Sequence, residues 1–159
     1  MIFVTVGTQL PFDRLVETVD KWVGMTGSEV FAQTGSTFYK PLNLKYSDFL
    51  NPSEVEEIFK KATLVVSHAG IGSILSALKY RKPIIIMPRR ASLNEHRNEH
   101  QLATAKWLNN KSGIHVAWDE TELAQLLTKS ESLNSSSGMS DLASQELIEN
   151  LKNFISANK

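Results

Sequence analysis

The residues best suited to binding or catalysis begin in a polar turn after the apolar run at residues 64–66. The turn spans residues 67–73 and holds His68, Gly70, Gly72 and Ser73. A helix that begins in such a turn presents unpaired N–H groups and the positive end of its dipole, so an anion can bind there. Glycines let a phosphate approach the backbone closely, and a serine hydroxyl adds a donor. The same glycines are equally compatible with a tight turn that binds nothing.

A second polar set follows the next apolar run, at residues 83–87. It comprises Arg89, Arg90, Glu95, His96, Glu99, His100 and Gln101. A guanidinium such as that of Arg89 could pair with a diphosphate through two parallel hydrogen bonds. The carboxylate, imidazole and amide groups further along offer the donors and acceptors that sugar hydroxyls require. Solvated loop charges and a polar helix face are the competing interpretations of this set.

The residues between His96 and His100 also match H-x-x-E-H, the pattern of inverted zinc proteases. A long helix predicted around residues 94–109 would place both rings on one face, one turn apart, where they could bind zinc with Glu99 as the base. No third ligand is evident, and five-residue patterns often occur without function. We therefore predict no metal, and a zinc hydrolase is the remote alternative.

The order of the predicted elements indicates how these residues come together. Apolar runs and amphipathic segments alternate, which is typical of an α/β protein with an open, Rossmann-like parallel sheet flanked by helices. About six strands are predicted, at residues 2–6, 29–33, 43–46, 64–66, 83–87 and 113–117. Ligands of such sheets bind at the carboxyl ends of the strands, and both polar sets directly follow strands. We therefore expect a single site at that edge.

The composition of the chain excludes several classes of function. The 159 residues suffice for about one domain, and 17 Lys and Arg balance 17 Asp and Glu, which argues against a nucleic-acid binder. The chain lacks cysteine, a P-loop and a G-x-G-x-x-G turn, so disulfides, P-loop NTPase activity and a dinucleotide site are not expected. The sequence shows no signal peptide. It also shows no apolar run that approaches the roughly 20 residues of a membrane helix, so we expect a cytoplasmic protein.

The pattern predicts three segments along the chain. Residues 1–128 form the Rossmann-like domain, residues 129–140 a Ser-rich linker or mobile loop, and residues 141–157 an amphipathic C-terminal helix. The apolar face of that helix must be buried, either on this domain or on a partner.

Four stretches together resemble a known family. They read V-T-V-G-T-Q-L-P-F-D-R-L-V, H-A-G-I-G-S, K-P-I-I-I-M-P-R and E-H-R-N-E-H-Q. This combination resembles the C-terminal half of GT-B glycosyltransferases, the glycosyltransferase 28 C-terminal domain family, over about residues 1–127. The chain looks like a catalytic subunit of a split two-chain enzyme. It is similar to bacterial capsule and exopolysaccharide β-1,4-galactosyl- or glucosyltransferase subunits, to the eukaryotic two-subunit UDP-GlcNAc transferase and, more distantly, to MurG.

The resemblance implies a nucleotide-sugar site. Gly7 and Thr8 would face the cleft, and residues 70–73 would lie against the UDP diphosphate. The donor sugar or ribose would be held by Glu95, His96, His100 and Gln101. One departure concerns the helix after the glycine turn, where the distant relatives often carry a ribose-binding glutamate and this chain has Ser76.

The resemblance also implies an activity. An inverting transferase would move a hexose from UDP-galactose, UDP-glucose or UDP-GlcNAc to a lipid-diphosphate-linked saccharide in polysaccharide biosynthesis, without a cofactor. A membrane-associated partner subunit would complete the active site and hold this chain at the inner face of the membrane, and a homo-oligomer is also compatible. The general base would be His68, His96 or a partner residue. The alternative is a non-catalytic accessory chain that only binds the nucleotide sugar.

Overall fold

The computed structural model describes residues 1–135 and 141–157. In that part of the chain the strands are β1 (Ile2–Thr5), β2 (Val30–Gln33), β3 (Lys45–Ser47), β4 (Leu64–His68), β5 (Ile84–Met87) and β6 (Ile114–Val116). The helices are α1 (Asp13–Thr26), α2 (Pro52–Lys61), α3 (Ile71–Lys79), α4 (His100–Leu108), α5 (Glu120–Thr128), α6 (Ser130–Ser135) and α7 (Asp141–Ala157), with a 3-10 helix at Ala91–Leu93.

All six strands form one parallel sheet in the order β3-β2-β1-β4-β5-β6. This is the doubly wound arrangement in which the strand order reverses between β1 and β4. The predicted fold class is confirmed, and so is the number of strands.

The strands form because alternate residues are buried on opposite faces of the sheet. On β4, Val65 packs in the cluster that contains Phe59 of α2, while Val66 packs in the cluster that contains Val16 of α1. Both faces therefore need apolar side chains, which explains the nearly continuous apolar runs in the sequence. The core of each face is covered by helices, with α1 and α5 on one side and α2, α3, α4 and α7 on the other.

The connection between β2 and β3 departs from the predicted alternation, because it contains no helix. This segment lies against α1, and the carboxylate of Asp20, which is fully buried, accepts three of its backbone N–H groups. Those of Leu42, Asn43 and Leu44 donate at 3.1, 2.8 and 3.0 Å. Burial by itself would raise the pKa of Asp20, but these hydrogen bonds outweigh burial and lower it. The ionised side chain thus replaces the internal hydrogen bonds that a helix would have made.

The helix predicted around residues 94–109 begins only at His100. The preceding residues form the 3-10 helix and a turn in which Asn94 has a φ of 58°. Side chains take up the backbone donors there, since Glu99 accepts the N–H of Ser92 at 3.2 Å and Asn98 accepts that of His100 at 3.0 Å. The prediction that the two histidines lie one turn apart on a single helix is therefore wrong.

The C-terminal helix α7 packs back on the domain. Leu147 and Leu151 join the core cluster with residues of α3, and the ring of Phe154 stacks on that of Trp107 with 4.7 Å between centroids. The predicted linker at 129–140 begins as helix α6, whereas residues 136–140 lie outside the described residues. The division into three segments stays a prediction. Among the helices of the described residues, none combines the length and apolar character needed to cross a membrane.

We predict that Leu151→Ala destabilises the fold by about 2–5 kcal/mol, because it leaves a cavity under a fully buried side chain. Urea unfolding followed by circular dichroism measures the loss. Lys152→Ala, at the neighbouring exposed position, is the control and should change stability little. An unchanged unfolding midpoint in Leu151→Ala would mean that α7 does not contribute to this core.

Candidate functional site

A cavity of about 720 Å³ opens at the carboxyl edge of the sheet, beside the reversal of strand order between β1 and β4. Nine of the eleven predicted site residues line it: Gly7, Thr8, His68, Gly70, Gly72, Ser73, Arg89, His96 and Gln101. Glu95 and His100 do not line it. The structure thus brings most of the predicted residues together, while their individual roles stay predictions.

His68 forms part of the cavity wall at the end of β4, and two glycines make room for its ring. A Cβ atom on Gly70 would lie 2.0 Å from Nε2 of His68, and one on Gly7 would lie 2.9 Å from Cε1. Gly7 also has a φ of 75°, which favours glycine. On the other side of the ring, Nδ1 lies 3.2 Å from Oγ of Ser67. These two glycines therefore serve to hold the imidazole between the turns after β1 and β4.

The pKa of His68 is lowered to about 4. Burial is the main cause, and the positive charge of Arg89 adds to it, while a backbone hydrogen bond at Thr5 acts in the opposite direction. The imidazole is consequently neutral at pH 7 and has a lone pair that can accept a proton. Its low pKa also makes it a weak base.

The N-terminus of α3 opens onto the cavity without a capping side chain. Its cap residue is Gly70, which makes no side-chain hydrogen bond, and Ile71, Gly72 and Ser73 follow in the first turn. A Cβ atom on Gly72 would meet no atom within 4 Å, so the space beside it is open. Unpaired N–H groups, a positive dipole end and open space are the features that an anion site requires.

Arg89 lines the cavity, but its guanidinium is occupied by backbone carbonyls. Its guanidinium is buried, with the residue 2% exposed, and donates to four carbonyl oxygens, those of Val6 at 2.7 Å, Leu10 at 2.8 Å, Pro11, and Glu95 at 3.4 Å. Burial lowers the pKa of Arg89 to about 10, against the opposing effect of Glu95. The terminal N–H groups are occupied, so a role as diphosphate ligand would require Arg89 to give up the turn that it holds.

Glu95 and His100 lie apart from the cavity. The carboxylate of Glu95 pairs with Arg14 of α1, with 2.6 Å between Nε and Oε1, and also accepts the N–H of Arg90 at 3.1 Å. His100 is exposed at the start of α4. The described residues contain no group of three or more His, Cys, Asp or Glu side chains that could hold a metal ion. The geometry of the described residues therefore does not support the zinc hydrolase hypothesis.

Besides Arg89, two residues of the second polar set line the cavity. His96 is half-buried in its wall, and Gln101 is 8% exposed at the start of α4. The Oε1 atom of Gln101 accepts the N–H of Arg89 at 3.0 Å, so its amide nitrogen is the end that can donate to a ligand.

Other lining residues were not expected from the sequence. Gln33 is buried at the end of β2 and donates from Nε2 to the carbonyl of Gly7 at 3.3 Å. The sequence feature that could have marked Gln33 as a site residue is its position as a polar residue at the end of an apolar strand. Another side of the cavity is lined by Leu50, by residues of α2 and α3, and by the residue that follows α3: Pro52, Val55, Glu56, Phe59, Ser76, Lys79 and Tyr80. Of these, Ser76 was marked by the family resemblance, as the position where distant relatives often carry a glutamate. The others follow no sequence pattern, since they are spread over two helices.

A family model for the glycosyltransferase family 28 C-terminal domain matches residues 1–155. The chain belongs to this glycosyltransferase family. It is 30% identical over 125 residues to the UDP-N-acetylglucosamine transferase subunit ALG13 of Homo sapiens, an alignment that covers 71% of this chain and 10% of that protein. The chain thus spans only a small part of that relative's length. The predicted family resemblance is confirmed.

Solved structures place the family 28 chain in the GT-B fold. The solution NMR structure of ALG13 superimposes with a TM-score of 0.59 at 22% identity, covering 82% of this chain and 85% of that one. The crystal structure of MurG from Acinetobacter baumannii gives a TM-score of 0.59 at 18% identity, covering 95% of this chain and 49% of that one. At these identities the likeness concerns the fold alone. The predicted GT-B half is confirmed, and the similarity to bacterial capsule subunits stays a prediction.

We predict that Gly70→Ala destabilises the family 28 domain by about 1–3 kcal/mol, because the new Cβ would displace the His68 ring. Gly72→Ala is the matched control in the same turn, where nothing lies within 4 Å and alanine favours the helix. Thermal unfolding of the two variants measures the difference. Equal melting temperatures would show that the ring is not confined by Gly70.

Stability should also fall as the pH drops from about 6.5 to about 4. In this range the unfolded chain protonates His68 whereas the folded chain does not, so the unfolded state is favoured by up to about 3 kcal/mol. Urea unfolding across this range should show that the free energy of unfolding depends less on pH in His68→Gln than in the wild type. The dependence that remains should come in part from His115, whose burial also lowers its pKa. His100→Gln is the exposed control. An identical slope in wild type and His68→Gln would contradict this account.

Proposed function

We propose that this chain is the donor-binding half of an inverting glycosyltransferase that takes a hexose from a UDP-sugar. The observation that carries the proposal is the uncapped N-terminus of α3, which faces open space at the carboxyl edge of the sheet. Membership of family 28 and the similarity to a UDP-N-acetylglucosamine transferase subunit support a UDP-sugar as the ligand.

The diphosphate would lie against the first turn of α3. There the N–H groups of Ile71, Gly72 and Ser73 would stabilise the charge that develops on UDP as the bond to the sugar breaks. The Ser73 hydroxyl adds a donor, whereas His68, which is neutral at pH 7, adds no positive charge. His96 and the amide of Gln101 line the same cavity and would hold the donor sugar. These residues require neither a metal nor a cofactor for this role.

In the transfer step an acceptor hydroxyl would attack the anomeric carbon of the sugar as UDP leaves. The hydroxyl proton would pass to a general base, and attack from the face opposite the leaving group would invert the anomeric centre. His68 and His96 are the candidates in this chain. Both line the cavity, but His68 is confined by two glycines and its low pKa makes it a weak base.

The acceptor and the second half of the active site would come from a partner. The relative ALG13 is described as a transferase subunit, which supports an arrangement of two chains, and the cavity of this chain lies at the open carboxyl edge of its sheet. A membrane-associated partner subunit that presents a lipid-diphosphate-linked saccharide, in capsule or exopolysaccharide biosynthesis, would supply both. The donor would be UDP-galactose, UDP-glucose or UDP-GlcNAc. A non-catalytic accessory role, in which the partner alone does the chemistry, is the second candidate, since the cavity would bind the donor equally well in that case.

Gly72→Asp tests the binding site. The new carboxylate would lie at the proposed diphosphate position, so we predict at least about a tenfold loss of UDP affinity by isothermal titration calorimetry, with the fold retained. Thr121→Asp is the matched control, because it places the same side chain in the first turn of α5, away from the cavity. Equal UDP affinity in both variants, or no UDP binding by the wild type, would overturn the proposal.

Turnover distinguishes the enzyme from the accessory role. The chain with its co-expressed partner should transfer sugar from a UDP-sugar panel, and Gly72→Asp should abolish the transfer. Full activity of the partner alone would favour the accessory role.

A further inference from the structure

Arg14, on the first turn of α1, is a cation that sequence patterns did not single out. It does not line the cavity, yet it makes the long-range ion pair with Glu95. Its Nε donates to Oε1 at 2.6 Å and its Nη2 to Oε2 at 3.0 Å, which is the two-pronged geometry of a strong charge-assisted pair. The two side chains are only 14% and 11% exposed, so solvent screens the pair weakly.

The pair fixes the loop that follows β5. Nη2 of Arg14 also donates to the carbonyl of Pro88 at 3.3 Å, and Oε2 of Glu95 accepts the N–H of Arg90 at 3.1 Å. The loop is therefore tied to α1 near its beginning and again at residue 95. The residue that follows Glu95 is His96, which reaches the cavity wall.

In the part of the chain that the structure describes, the His96 side chain takes part in one hydrogen bond. Its Nδ1 atom accepts the N–H of Asn98 at 3.4 Å, a long hydrogen bond within the same loop. The backbone of the loop therefore holds the imidazole. This backbone is tied to α1 by Arg14 and Glu95, and to the turn after β1 by Arg89, which donates to the Glu95 carbonyl at 3.4 Å.

We propose that Arg14 is a positioning residue for the site, which acts through Glu95 to place the His96 imidazole in the cavity wall. Arg14 itself does not line the cavity. For donor binding the proposal rests on the proposed function, whereas for the placement of His96 it does not.

The test compares Arg14→Gln with Lys21→Gln, a control on the same helix whose partner, Glu17, is a surface residue. The chain has four histidines, so their ring signals can be resolved by NMR and assigned by substitution. In Arg14→Gln we expect the His96 signals to shift or broaden while those of His115, on β6, stay in place. Lys21→Gln should change neither. Unmoved His96 signals, or equal shifts at His115, would overturn the proposal.

Two further variants separate positioning from general stability. Glu95→Gln should reproduce the change at His96, and Arg14→Lys, which keeps the charge but loses the two-pronged geometry, should restore it partly. Arg14 also lies 3.5 Å from the more exposed Glu120. Combining Arg14→Gln with Glu95→Gln should nevertheless change the His96 signals by less than the sum of the single changes, because the two residues share the ion pair. Additive effects in the double variant would contradict the proposal.

A measurement of donor binding completes the test of Arg14. If His96 holds the sugar, Arg14→Gln should weaken UDP-sugar binding about tenfold and leave UDP affinity within about twofold, because α3 is untouched. An equal loss for both ligands would show that Arg14 affects the whole site and would overturn the specific link to His96. Absence of UDP binding by the wild type would instead contradict the proposed function, while the NMR result would still decide the role of Arg14.

Discussion

The carboxyl edge of the sheet depends on one buried cation. The turns after β1 and β5 bend away from their strands, and bending leaves carbonyl groups without partners in the sheet. Arg89 supplies four N–H donors to these carbonyls from a single buried guanidinium. A buried carbonyl without a partner is costly, so few arrangements of the two turns satisfy all four at once. Arg89 thereby joins the turns after β1 and β5, both of which contribute residues to the cavity lining.

This constraint divides the polar residues of the edge into two groups. Arg89 and Glu95 turn inward, where each is occupied by the backbone or by another charge. Gly72 and His96 face the cavity, one with open space beside it and the other with a single long hydrogen bond. Both groups use the residue types that bind phosphates and sugars. The inward residues hold the loops, and the outward residues are left with unused capacity to bind a ligand.

Much of the fold could be predicted because strands buried on both faces must be apolar throughout, and because Gly27 ends α1 in the left-handed conformation that glycine favours. The start of α4 could not be predicted, because residues 94–99 carry no clear helix-breaking signal and side-chain hydrogen bonds decide where the helix begins. In these bonds Glu99 accepts the N–H of Ser92 and Asn98 accepts that of His100. Of the site, the glycine turn was predictable from its position after a strand. Arg14 was not, since its partner lies 81 residues away along the chain.

The N-cap residues of α2 and α5 differ from that of α3, and this difference bears on the role of the α3 N-terminus. Asn51 caps α2 in a reciprocal box with Glu54, and Asp119 caps α5 by accepting the N–H of Glu122. Each carboxylate or amide oxygen there occupies the place where an anion would sit. At α3 the cap is Gly70, which has no side chain, and the next glycine leaves open space. Inside a helix, a glycine such as Gly72 costs up to about 1 kcal/mol relative to alanine. At the start of α3, Gly70 makes room for His68 and Gly72 leaves the amides open to a ligand.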